Sequence, residues 1–426
     1  MGRVLVDGMA CRPNMMRVAL ILFGVSISMA IFGRAAMAIT LGPGFLLLLF
    51  AAGVSVVRAS LFEIWRHPAA KLGMAITVMA LLLTPLSLDP WKSVETIIRT
   101  SSLIYSGAAV ATIVAARPME EVVLLRRTLL VAALFSFLFI LASWHITGEP
   151  LWPLNLRAHD VRTAFKAYSS VVACLLPVLV WLGAIEQGKW KVLAGLAVVL
   201  GIGCLLGNLG EMSRSGLAGA SGAVLVVALI MVLNRFPQKL GLALLIGLAV
   251  MACLGFLIIA HKLSLAVQAG AYGTVLPHYL LDLHRQTIWG FTWTKFLEHP
   301  LLGWGVNASN EIEGARMKIP GMNQEFIPSH PHNFFLEFLV ELGAPLTFLL
   351  ILCCLLVFWG LVRRAWQGES AAWAGIGLMA AFWIAAMSNF SIWSYWWLLE
   401  VTLLAIVVVS HLSRPRPGIA PRTDSR

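Results

Sequence analysis

The stretch Ser329-His330-Pro331-His332-Asn333-Phe334-Phe335-Leu336-Glu337 places two imidazoles and an amide at the head of an apolar run. An imidazole titrates close to neutral pH, so His330 or His332 can take or give a proton there. The unpaired N–H groups of a helix start also suit an anionic ligand. A polar group at the edge of hydrocarbon is costly unless it is hydrogen-bonded or useful. The bland alternative is a water-facing helix start with Ser329 or His330 as its cap.

Guanidinium groups supply the complementary chemistry, because their planar fork stays charged and matches phosphate oxygens. Arg214 lies in the tight turn Glu211-Met212-Ser213-Arg214-Ser215-Gly216, where little room is left to reach bulk water, so its partner is an anion or Glu211. Arg162 and Lys166 lead into an apolar run, and Arg285 sits in Leu281-Asp282-Leu283-His284-Arg285-Gln286-Thr287-Ile288-Trp289. Each of these three can instead snorkel to lipid headgroups. The remaining loop histidines, His261, His278, His284 and His299, lack zinc-ligand spacing and flanking cysteines. His330 and His332 lack a matching carboxylate motif, so no metal site is expected.

Those residues must be positioned by membrane helices. With 59% hydrophobic and 12% charged residues, the 426-residue chain lies outside soluble composition and reads as an all-α, polytopic membrane bundle. The alternating pattern of an outer-membrane barrel is missing. Twelve spans are expected near residues 18–33, 36–57, 72–88, 101–116, 128–145, 169–185, 192–210, 216–234, 240–260, 337–362, 371–388 and 395–412. Cys11, Cys174, Cys204, Cys253, Cys353 and Cys354 lie almost all in apolar runs, which fits neither a disulfide framework nor zinc. The segment after Arg17 lacks a convincing cleavage site and reads as a first span. The formal charge of +11 is spread along the connections without interleaved aromatics, so no nucleic-acid partner is expected.

Lys and Arg concentrate in the connections on the side of the amino terminus, for example Arg58, Arg66, Lys71, Arg117, Arg126 and Arg127. Both termini are therefore expected in the cytoplasm. The organisation that follows is a cytoplasmic segment 1–17, spans in 18–260, a large outer loop 261–336, further spans in 337–412 and a basic tail 413–426. Within the loop, apolar spacing from Leu281 to Leu297 predicts an amphipathic helix on the membrane surface. Trp289 and Trp293 would lie at headgroup level, Arg285 and Trp289 would form an i, i+4 pair, and the helix would end near His299-Pro300. Gly303-Trp304-Gly305 reads as the following turn. Span interiors are nearly free of ionisable groups, Glu400 being the main exception, which argues against an ion-coupled transporter.

The chain resembles the O-antigen ligase and polymerase superfamily, and the ligase branch most closely. The resemblance is carried by Arg285-Gln286 followed by Trp289, by His299-Pro300-Leu301-Leu302-Gly303-Trp304-Gly305, by His332-Asn333 with Gly343 after nine residues, and by the turn Ser213-Arg214-Ser215. The family's common second glycine after Gly343 is replaced, the local sequence being Gly343-Ala344-Pro345-Leu346. The resemblance implies a glycosyltransferase of the bacterial inner membrane that moves a glycan from undecaprenyl pyrophosphate to lipid A-core at the periplasmic face. It implies neither nucleotide sugar, metal nor cofactor. On that reading His332 accepts the acceptor's proton and is kept neutral by its place in a first helical turn. Arg285 and Arg214, with Arg162 and Lys166, stabilise the departing pyrophosphate. Asn333 and His330 help to hold substrate. An O-antigen polymerase, a protein O-oligosaccharyltransferase and a lipid-linked sugar transporter are the alternatives.

Overall fold

A computed structural model describes residues 13–147, 158–207, 214–278 and 280–412, with side chains at 34–35, 144–147 and 158–165 excluded. Among these residues the chain forms fourteen α-helices and no sheet, only an isolated bridge between Lys318 and Glu325. The helices are α1 Pro13–Met29, α2 Arg34–Ala52, α3 Val54–Ile64, α4 Pro68–Leu83, α5 Pro90–Ala115, α6 Met119–Thr147 and α7 Ala158–Ile185. They continue as α8 Lys189–Leu206, α9 Arg214–Leu233, α10 Gln238–Gln268, α11 Leu283–Glu298, α12 Phe334–Trp366, α13 Ser370–Ala386 and α14 Tyr395–Leu412.

Among the described residues ten helical stretches are long and apolar enough to cross a bilayer, and the chain is a multi-pass membrane protein. The other two expected spans are irregular. Residues 36–57 do not form one straight span, because the chain bends by 102° between Ala36–Ala52 and Val54–Ile64. Gly53, at φ +76°, makes that corner and turns α3 across α2. The 17-residue α13 is apolar but short, about 26 Å at 1.5 Å per residue. At the other extreme, α10 runs for 31 residues, about 46 Å, so its last turns extend beyond the hydrocarbon.

Those last turns seat the loop. Ala260 and Leu263 of α10 pack with Ile288, Trp289 and Phe296 of α11 and with Leu336, Leu339 and Val340 of α12 in a hydrophobic cluster separate from the main bundle core. A side chain at Gly290 would stand 2.4 Å from the Leu263 carbonyl oxygen, so glycine permits the close approach of α11 to α10. The expected surface helix exists with its expected end, but its placement is corrected. Trp289 is 8% exposed and packs against Phe256 instead of resting among headgroups. Burial in protein satisfies its apolar area better than the interface would.

Candidate functional site

The site is assembled where α12 begins. Asn333 is the cap of this helix, its Oδ1 accepting from the backbone N–H groups of Phe335 and Leu336, both at 3.1 Å. Neither Ser329 nor His330 has that role. His332 therefore stands just before the helix, at φ +54°, a left-handed conformation that is uncommon outside glycine. The reversal lets the His332 N–H donate to His330 Nδ1 at 3.2 Å and brings the two rings to 4.1 Å between centroids. Only the Nδ2 group of Asn333, buried and without a hydrogen-bond partner, is left for any contact with substrate.

His332 Nδ1 lies 2.8 Å from the Asn389 carbonyl oxygen. A carbonyl only accepts, so Nδ1 carries the proton and Nε2 keeps its lone pair. The ring is held neutral more firmly than a first-turn position would hold it. Burial drives its pKa down to about 4; the Asn389 carbonyl opposes the fall, while Arg285, Lys166 and His284 add to it. The pKa of His330 is likewise driven well below its ordinary value, first by burial and then by His332, Lys166 and Arg285. Thus residues 166, 285, 330 and 332 act on one another in one place, although Lys166 on α7 and Arg285 on α11 are distant in sequence from each other and from the histidines.

Arg285 is positioned by Asp282, the cap of α11. The Asp282 carboxylate accepts from the Arg285 backbone N–H at 2.8 Å and pairs with its guanidinium at 3.1 Å. This pairing replaces the expected one with Trp289. Arg214 is the first residue of α9 and is exposed; among the described residues it pairs with no carboxylate. Glu211, its expected internal partner, and the Arg162 side chain both lie outside the described residues. The start of α9 meets α7 because Gly216 offers no side chain: a Cβ there would stand 2.4 Å from the Ser169 carbonyl oxygen. Ser215 Oγ lies 3.5 Å from Ser170 Oγ, which in turn accepts from Asn389 Nδ2 at 2.6 Å. The structure thus brings Lys166, Arg285, His330, His332 and Asn333 together and sets Arg214 at their border.

The frame around them depends on a break in α12. Gly343 is non-helical, at φ +73°, and a Cβ on it would lie 2.3 Å from the Leu301 carbonyl oxygen. The break frees the Val340 and Glu341 carbonyls to accept from Trp304 N–H at 2.9 Å and Gly305 N–H at 3.0 Å, while Ala344 N–H donates to Pro300. This accounts for the Gly-Trp-Gly turn, and Gly343 shares the close packing with Gly303, where a Cβ would stand 2.4 Å from the Glu341 carbonyl carbon, while Leu346 is buried. Two carboxylates that the sequence reading passed over complete the frame. Glu337 accepts from Ser391 Oγ and from Ile392 N–H at 3.0 Å; Glu341 accepts from Asn307 N–H and Trp393 Nε1, each at 2.6 Å. Their i, i+4 spacing in an apolar helix was the available signal. Asp282 stood in view as a cap residue before Leu283, whereas nothing local marked Asn389 or Ser170. Among the described residues no three His, Cys, Asp or Glu side chains gather as a metal site.

Fold and site together define a multi-pass helical membrane protein with a neutral histidine among cations at one end of its bundle. Residues 196–351, which hold Arg214, Arg285, His330 and His332, match the O-antigen ligase family. A Rickettsia conorii protein is 23% identical over 331 residues, covering 76% of this chain and 75% of the relative. A Rickettsia felis protein is 23% identical over 336 residues, 77% of each. A Rickettsia prowazekii protein reaches 30% over 135 residues, 31% of this chain and 33% of its own. All three are polysaccharide ligases by name. Over residues 196–351 the chain is similar to the O-antigen ligase family.

Proposed function

We propose that this chain transfers a glycan from undecaprenyl pyrophosphate to a hydroxyl of lipid A-core oligosaccharide, at the periplasmic face of the inner membrane and with both termini in the cytoplasm. The observation that carries this reading is the bare Nε2 of His332 beside cations that, among the described residues, outnumber their carboxylate partners. In the proposed step Nε2 takes the acceptor hydroxyl's proton as that oxygen attacks the anomeric carbon. The bond from the anomeric carbon to the pyrophosphate oxygen breaks, and its electron pair leaves on the pyrophosphate. Arg285, Arg214 and Lys166, with Arg162 as a further candidate, stabilise the growing negative charge and take the place that a divalent cation has in other transferases. Direct displacement inverts the anomeric centre.

Purified protein in proteoliposomes, supplied with undecaprenyl-pyrophosphate glycan and lipid A-core in the presence of a chelator and without ATP, tests the reading. A glycan-bearing lipid A product is the expected result. Lengthening of the carrier-linked glycan would replace the ligase reading by a polymerase. Movement of the carrier lipid across the bilayer without bond formation would replace it by a transporter.

A further inference from the structure

The connection 387–394, between α13 and α14, supplies no cation or base to the proposed reaction, yet it makes the one side-chain hydrogen bond described for the His332 ring. Asn389 is 3% exposed and faces two ways. Its carbonyl receives the Nδ1 proton of His332, while its Nδ2 donates to Ser170 Oγ on α7 at 2.6 Å. Ser170 Oγ, left with its own proton to give, lies 3.5 Å from the oxygen of Ser215, the residue after Arg214. Further along the connection, Ser391 Oγ and the Ile392 N–H hold Glu337 of α12. The carbonyl that meets the imidazole is thus anchored to α7 through a side chain and to α12 through its neighbours.

We propose that Asn389 is a positioning residue for His332: its carbonyl selects the tautomer with a bare Nε2, and its side chain ties the ring through Ser170 and Ser215 to the helix that begins with Arg214. The inference rests on the base role proposed for His332. The two neutral tautomers of an imidazole are distinguished by the hydrogen bond that one nitrogen makes. A ring with its proton on Nε2 would present a donor where the acceptor hydroxyl needs a lone pair. Anchoring the carbonyl therefore keeps the ring competent, and the shared anchor keeps the base and the Arg214 helix in register.

The test uses full-length protein in detergent with ¹⁵N-labelled histidine, the ring nitrogens of residue 332 being assigned by comparison with H332Q. Wild type should carry its proton on Nδ1. In S170A, which removes one buried hydroxyl, and in N389A, the tautomer ratio should move toward Nε2–H by about tenfold, the magnitude supplied by one net hydrogen bond. In the reconstituted assay kcat should fall with the Nδ1–H fraction while KM for the donor holds. A wild-type proton on Nε2, or an S170A protein whose tautomer and kcat are both unchanged, would overturn the proposal; S170A decides it should N389A not fold. Retained transfer by H332Q would instead remove the base role while leaving the ring's anchoring as measured.

Discussion

The cations around His332 and those at the far end of the bundle are the same residue types in opposite circumstances. Away from the site, Arg117 pairs with Glu121 at 2.7 Å, Arg126 and Arg127 share Glu186 at 2.5 and 3.1 Å, and Arg364 reaches Glu369 and the Leu412 carbonyl. Each of these four guanidiniums has an internal partner, and each pairing joins or caps helices. Around His332, Lys166, Arg214 and Arg285 have among the described residues only Asp282 between them, and it pairs with Arg285. Both imidazoles are held neutral, so they neither add to nor offset that surplus at neutral pH. Cations with internal carboxylates hold the protein together; those without one among the described residues are open to an anion from outside. Charge partnership, more than charge itself, separates scaffold from site.

The sharpest way to break this contrast is to remove the base. H332A should lower the reconstituted transfer rate by about 10²–10⁴-fold while the protein still inserts and folds. Next come the surplus cations. R285Q and R214Q should each reduce kcat by about 10²–10³-fold at near-normal stability. R126Q should leave transfer intact and cost about 1.5–3 kcal/mol in chemical unfolding, because it leaves the buried Glu186 carboxylate with Arg127 alone. The reverse pattern, with R126Q inactive and R285Q active, would end the distinction between the two ends.

A smaller effect is expected at the frame. G343A should destabilise the protein by about 1–3 kcal/mol, since alanine resists φ +73° and its methyl would meet Leu301; unfolding in denaturant measures it. The smallest effect is a displacement on the pH axis. Above about 4 the His332 ring is unprotonated, so the acid limb of kcat/KM for the free enzyme should fall near pH 4 instead of near an ordinary histidine's 6.5. The sign for stability follows. The unfolded chain takes this proton first, so His332 makes stability decline as pH drops from about 6.5 to about 4 and adds nothing below.

Much of the fold was legible because hydropathy is a local property. Each expected span falls largely on helix among the described residues, 36–57 on two, and the differences are of geometry: the corner at Gly53, the reach of α10 to Gln268, and the inward placement of Trp289. A run such as Leu240–Ile259 must be helical in hydrocarbon whatever its neighbours are. Whether an amphipathic helix faces lipid or protein depends on a second surface, here the last turns of α10, which periodicity within Leu283–Glu298 does not contain.

The sequence by itself determined that the chain crosses a membrane many times, that imidazoles and guanidiniums gather at helix ends, and which residues could carry glycosyl transfer chemistry. Only the tertiary structure decided that Asn333 caps α12, that Asp282 holds Arg285, and that a carbonyl at residue 389 directs the proton of residue 332. The physical reason is range. Helix formation in lipid answers to the residues within one segment, whereas tautomer, burial and charge partnership are fixed by groups that only packing of separate helices brings within a few ångströms.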